Sequence, residues 1–147
     1  FFFTSLDPMN ALKVQYIEFV EGEFGADYRP RILASSDTSK ADRFINEPNR
    51  FKRPVDITLA GDGSQFIFVV DTETDSLYQF SFTGYEGVLP PPAAGVTRYQ
   101  LASFGGTGSG ATNFRDPSGV AYFNNIVYVA DAGNGRVLRF KLTLDFD

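Results

Sequence analysis

The chain repeats itself. Phe51-Lys52-Arg53-Pro54-Val55-Asp56-Ile57 aligns with Phe114-Arg115-Asp116-Pro117-Ser118-Gly119-Val120 at an offset of 63 residues. Phe66-Ile67-Phe68-Val69-Val70-Asp71 then aligns with Ile126-Val127-Tyr128-Val129-Ala130-Asp131 at an offset of 60. Ser76-Leu77-Tyr78-Gln79-Phe80 keeps that same offset of 60 from Arg136-Val137-Leu138-Arg139-Phe140. The three-residue change falls where Ala60-Gly61-Asp62-Gly63-Ser64-Gln65 faces the shorter Phe123-Asn124-Asn125. Turns absorb insertions and strands do not, so the gap sits where a turn is expected. Such a repeat constrains the fold strongly, because each copy must be one small unit that buries its faces against its neighbours.

Each copy reads as three short strands. The first follows Pro54 or Pro117, and a residue with no N–H and a fixed φ suits the start of a strand. The second is almost wholly apolar, which predicts a sheet covered on both faces. The third alternates: Tyr78, Phe80 and Phe82 share one face, as do Leu138, Phe140 and Leu142. Gly61-Asp62-Gly63 and Gly133-Asn134-Gly135 supply the turns. Small sheets repeated along a chain predict an all-β fold of β-propeller blades. Propellers close with about four to eight blades. Two clear blades therefore predict an incomplete propeller or part of a larger ring, completed by more sequence or by other chains.

The second copy resembles a known family. Phe114-x-x-Pro117-x-Gly119-Val120-Ala121, Ile126 to Asp131 and Asn134-x-Arg136-Val137-x-Arg139-Phe140 together resemble an NHL repeat, and Phe104-Gly105-Gly106-Thr107-Gly108-Ser109-Gly110 resembles the Gly-rich stretch that precedes one. The resemblance covers residues 104–142. The copy over 51–82 is degenerate, with Thr74 and Ser76 in place of the Asn and Arg, and Asp56 in place of the Gly.

The expected organisation is an N-terminal segment over 1–50, a blade over 51–100 with a Pro-rich surface insertion at 84–96, and an NHL blade over 101–147. In the N-terminal segment, Leu12 to Val20 suits a strand and Glu21 to Gly25 a turn. Ile32-Leu33-Ala34-Ser35-Ser36-Asp37 resembles a second strand ending in Asp, which makes a diverged blade the alternative for this region. Phe1-Phe2-Phe3-Thr4-Ser5, without an initiator Met or charged leader, fits a processed chain or a fragment. Thr143-Leu144-Asp145-Phe146-Asp147 still alternates, so a strand is expected up to the last residue.

Composition removes several chemistries. The chain has no Cys and no His, so disulfides, thiolate metal sites and Ser-His-Asp or Cys-His catalysis are excluded within it. A net charge of −5 argues against nucleic-acid binding, including the RNA binding known for some NHL proteins with basic faces. Lys40, Arg43, Arg50, Lys52 and Arg53 are expected to form a solvated loop. No apolar run approaches the ~20 residues of a transmembrane helix. Many turn residues, the acidic charge and the lack of Cys and His suit an exported protein, periplasmic or at the cell surface.

In a meander, alternate turns fall at the same end of the sheet. The loop before the first strand holds Arg53, Arg115 and Asp116; the turn after the second holds or adjoins Asp71, Thr74, Asp75, Asp131, Asn134 and Arg136. The resemblance implies that this face carries the binding site, so Arg53, Arg115, Asp116, Asp71, Thr74, Asp131 and Asn134 are the candidates. Asp131 and Asn134 are also expected to satisfy turn backbone groups, and Arg136 to pair with Asp131 or the neighbouring blade. Asp71-Thr72-Glu73-Thr74-Asp75 spaces carboxylates as calcium loops do, but lacks the Gly and the distant Glu of an EF-hand. The Gly-rich stretch lacks the Lys-Ser/Thr pair of a phosphate loop and is expected as a flexible inter-blade connection. No cofactor or metal is expected. The leading expectation is a non-catalytic scaffold that binds a protein partner. The resemblance also allows part of a metal-dependent lyase or lactonase whose active site needs residues outside this chain.

Overall fold

The computed structural model describes residues 1–31 and 37–142. The segments 32–36 and 143–147, both expected as strands, lie outside the described residues. In order the strands are β1 (Phe2–Thr4), β2 (Val14–Gly22), β3 (Gly25–Arg31), β4 (Pro54–Leu59), β5 (Ile67–Asp71), β6 (Ser76–Phe80), β7 (Phe104–Gly105), β8 (Pro117–Phe123), β9 (Ile126–Asp131) and β10 (Arg136–Lys141). They form three antiparallel sheets: β1-β2-β3, β4-β5-β6-β7 and β8-β9-β10. The latter two are the repeated blades. Each repeats the same irregularity, a register shift just after its proline, between Pro54 and Asp56 and between Pro117 and Gly119. A proline cannot donate to the ladder, so regular pairing begins beyond it.

The middle strand of the first blade is buried along its whole length. Ile67 and Val69 face one way, with Tyr78 and Phe80, onto Phe51, Val14 and Ile45. Phe68, Val70 and Leu77 face the other way, onto Phe114, Val120, Val127 and Val129 of the second blade. Burying an apolar side chain of this size is worth roughly 1.5–3 kcal/mol, so this double contact contributes several such increments on each face of the first blade. The second blade follows the repeat on only one side. Val127 and Val129 are buried, whereas Ile126, Tyr128 and Ala130 are half-exposed, because no sheet covers that face among the described residues.

Blade joins blade through carboxylates as well as apolar contact. Asp56 accepts the N–H of Val120 at 2.8 Å. Asp75 accepts the N–H of Asp116 at 2.8 Å and the hydroxyl of Thr107 at 2.6 Å. Asp62, in the β4–β5 turn, accepts the Tyr122 hydroxyl, and the Tyr122 ring stacks on Phe68 at 5.9 Å. The Ser64 and Tyr122 hydroxyls hold the Asp62 carboxyl below its ordinary range. These contacts set β8 alongside β4 in the same direction.

Two expectations about the loops need correction. The Gly-rich stretch is not a free connection. It supplies β7, the fourth strand of the first blade, with Gly105 opposite Ser76 and Phe104 opposite Leu77. The Pro-rich insertion lies at the surface at Leu89 and residues 91–95, but Gly84, Tyr85, Glu86 and Gly87 are buried. There the Ile45 N–H donates to the Gly84 carbonyl and the Glu86 N–H to the Arg43 carbonyl. The insertion thus ties residues 43–45 to the outer edge of the blade.

The N-terminal sheet packs on the other side of the first blade. Phe2 meets Phe82 at 6.4 Å, and Phe1, Phe2 and Tyr16 share a groove with Ile57, Thr58, Leu59 and Phe82. The start of β1 therefore lies beside the end of β4. The far part of the β2–β3 hairpin, residues 21–29, is exposed throughout.

Gly105 has φ +150°, and a Cβ there would stand 2.3 Å from the Asp75 carbonyl oxygen. Gly105→Ala is expected to detach β7 and to cost about 2–4 kcal/mol, read as a lower urea midpoint. Gly61→Ala, which meets nothing within 4 Å, is the control and should leave the midpoint near wild type.

Candidate functional site

One aspartate organises the loop face of each blade. In the first, Asp71 ends β5 with no exposed surface. Its Oδ2 accepts the N–H groups of Lys52 at 2.6 Å and Arg53 at 3.0 Å; its Oδ1 accepts those of Glu73 at 3.0 Å and Thr74 at 3.2 Å. A buried carboxylate is tolerated only when donors replace its water, and this one gathers them from two loops at once. The loop before β4 and the turn after β5 are thus drawn to one end of the sheet, as the meander predicts.

The second blade repeats the device with side chains. Asp131, also fully buried, accepts the Arg115 N–H at 2.7 Å, the position equivalent to Lys52. Its Oδ2 takes Asn134 Nδ2 at 2.9 Å and Arg136 Nε at 2.6 Å. Burial pushes the Asp131 carboxyl up, but the Arg115 N–H, Asn134 and Arg136 outweigh it and hold it below the ordinary carboxylate range. Arg136 also donates from Nη1 to the Ser109 carbonyl at 2.7 Å and from Nη2 to Gly110 at 2.8 Å and Asn113 at 3.0 Å. Asn134 Nδ2 reaches Gly108 O at 2.8 Å. These two side chains, absent from the first copy, clamp the Gly-rich loop.

The candidates therefore divide. Asp71, Asp131 and Asn134 are structural, their polar atoms turned to the protein itself. Thr74 closes its turn, with Oγ1 3.1 Å from the Tyr78 hydroxyl. Arg53, Arg115 and Asp116 are exposed, and among the described residues their side chains make no hydrogen bond or ion pair. The backbone fixes where they stand, through the Arg53 and Arg115 amides on the buried aspartates and the Asp116 amide on Asp75. The calcium spacing fails on geometry. Asp71 turns inward to its own loops and Asp75 toward the second blade, and no cluster of His, Cys, Asp or Glu among the described residues is fit for a metal ion.

The basic cluster is not uniformly solvated. Arg50 forms a two-pronged ion pair with Glu86 at 2.7 and 2.6 Å, and its guanidinium lies 4.5 Å from the Tyr78 ring centre. The Glu86 side chain has no exposed surface, and Ser103 Oγ donates to it at 2.6 Å. Sequence reading missed Glu86 because it lies in the insertion, which has no counterpart in the second copy. It missed the inter-blade role of Asp56 because the family position is Gly.

Residues 114–140 match the NHL repeat family, the span from the buried Phe114 to Phe140. No curated protein matches the chain. Residues 51–80 carry the same strand order and the same buried Asp at the end of the middle strand, and so form a second blade of the same design. No helix among the described residues is long and apolar enough to cross a membrane.

Asp131→Asn keeps the shape of the side chain but removes the charge that holds Arg136. It is expected to cost roughly 2–4 kcal/mol in chemical denaturation. The folded carboxyl titrates below its unfolded value of about 3.9, so its contribution is complete above that pH and is lost as the pH falls through the lower folded value. Wild type should lose stability over that acid window more steeply than Asp131→Asn. Glu86→Gln leaves the Arg50 guanidinium without its carboxylate and should lower stability by about 3 kcal/mol. In both variants the midpoint is the readout, and an unchanged midpoint refutes the assigned role.

Proposed function

We propose that these blades are a non-catalytic scaffold whose loop face binds a protein partner through Arg53, Arg115 and Asp116. One observation carries this reading: the repeat uses up its recurrent polar groups in holding the loops, and leaves these charged side chains exposed and without partners among the described residues, on backbone anchored by hydrogen bonds. Charged groups at the rim of a preformed surface steer and select a partner rather than do chemistry. The absence of His from the sequence supports a binding role over a catalytic one. Two exposed arginines beside Lys52 favour a partner with an acidic patch. The NHL repeat supports further blades completing the surface on which that partner sits. An exported setting, outside the cell or in a periplasm, fits a chain with no Cys to oxidise.

Arg53→Glu/Arg115→Glu reverses the charge at two exposed positions and is expected to leave the melting temperature near wild type. Affinity capture on the 147-residue chain, compared by quantitative mass spectrometry with the double variant, should show selective loss of acidic-surfaced proteins. An identical captured set from both proteins rejects the loop face as the binding surface.

A further inference from the structure

Among the described residues, two sheet faces in the row of packed sheets are left uncovered, and each is apolar with a charged margin. The first belongs to the second blade. The face of β5 and β6 that carries Phe68, Val70 and Leu77 is covered by the next blade. The equivalent positions sixty residues on are Tyr128, Ala130 and Val137. In register, Val137 stands opposite Ala130, Arg139 opposite Tyr128 and Lys141 opposite Ile126. Val137 is 63% exposed. Arg139 and Lys141 are exposed and have no side-chain partner among the described residues. This face is thus a copy of an established interface, with a cationic end.

The second is on the N-terminal hairpin. Phe19 stands opposite Tyr28, 48% and 57% exposed, with ring centres 5.6 Å apart. Side chains alternate, so Glu21 shares the face of Phe19, and Glu23 comes next in the hairpin turn. Both acids are exposed and have no side-chain partner among the described residues. An aromatic pair thus gives way to two carboxylates along the hairpin, as Val137 and Ala130 give way to Arg139 and Lys141 along the blade. The two faces lie on opposite sides of the chain, with the first blade between them, so one molecule cannot bring them together.

We propose that the exposed hairpin face of one copy docks on the free blade face of a second copy, aromatic pair on Val137 and Tyr128, acidic tip on Arg139 and Lys141. Such a contact joins different patches on the two molecules, so it extends into a row or closes into a ring. Neither face includes Arg53, Arg115 or Asp116, so loss of loop-face binding leaves this association unchanged.

Sedimentation velocity of the 147-residue chain across a concentration series tests this. Wild type is expected to self-associate reversibly, and more weakly as salt is added. Val137→Asp and Phe19→Asp, both at exposed positions, should each raise the dissociation constant by at least about tenfold while keeping the wild-type circular dichroism spectrum. Mixed in equal amounts, the two variants should form a dimer and go no further, since each keeps one sound face. Arg139→Glu should weaken association, and Glu21→Arg in the other molecule should restore it. A chain that stays monomeric throughout the series, as it would if a foreign protein or another blade owned these faces, overturns the proposal. So does association unchanged in both single variants, or a mixture that remains monomeric.

Discussion

A buried carboxylate at the end of the middle strand holds each blade together. Asp71 and Asp131 have no exposed surface, yet each accepts at least three hydrogen bonds from two separate loops. An ionised group in that position is costly unless every donor is in place. The constraint runs outward from there. The loop before the first strand must come close enough to give its amides, which aligns the strand and its proline. The turn after the middle strand must be tight, which explains Gly133: a Cβ there would lie 2.6 Å from the Arg115 side chain and 2.7 Å from its carbonyl oxygen.

The two copies solve the same problem with different chemistry. Asp71 is satisfied by backbone amides alone. Asp131 takes one amide and two side chains, and those side chains then reach the Gly-rich loop. The substitution of Thr74 and Ser76 for Asn and Arg therefore leaves the carboxylate of the first copy fully partnered. It is a change in how one carboxylate is satisfied. The first copy has instead acquired Asp56, Asp62 and Asp75, which reach across to the second blade. At the equivalent places the second blade has Gly119, a shortened turn and Gly135. The carboxylates of the junction thus all stand on the first blade.

Much of the fold was legible because it is periodic. The apolar run of β5, the alternation in β6 and β10 and the prolines at strand starts each obey local rules, and the offset between copies reinforced them. The common end shared by the two loops came from the meander. What escaped was non-local. Glu86 meets Arg50 across 36 residues, and nothing in either segment announces the other. The strand role of Phe104–Gly105 was hidden because Gly favours turns in sequence terms, while here only Gly fits against Asp75 and Ser76. At the site, sequence grouped every loop charge together. Only hydrogen bonding separated the aspartates that serve the backbone from the arginines that face outward.

The strand β7 joins the first blade but lies in the stretch that leads into the second. The first sheet is therefore not finished when its own three strands have been made. It waits for about two dozen more residues, including the whole insertion. During synthesis a ribosome emitting this chain would release an unfinished sheet first and seal it late, from the downstream side. The outer edge of the first blade is then guarded only by chain made after it, so a polypeptide interrupted between the copies would leave an open, pairable edge rather than a smaller sound unit.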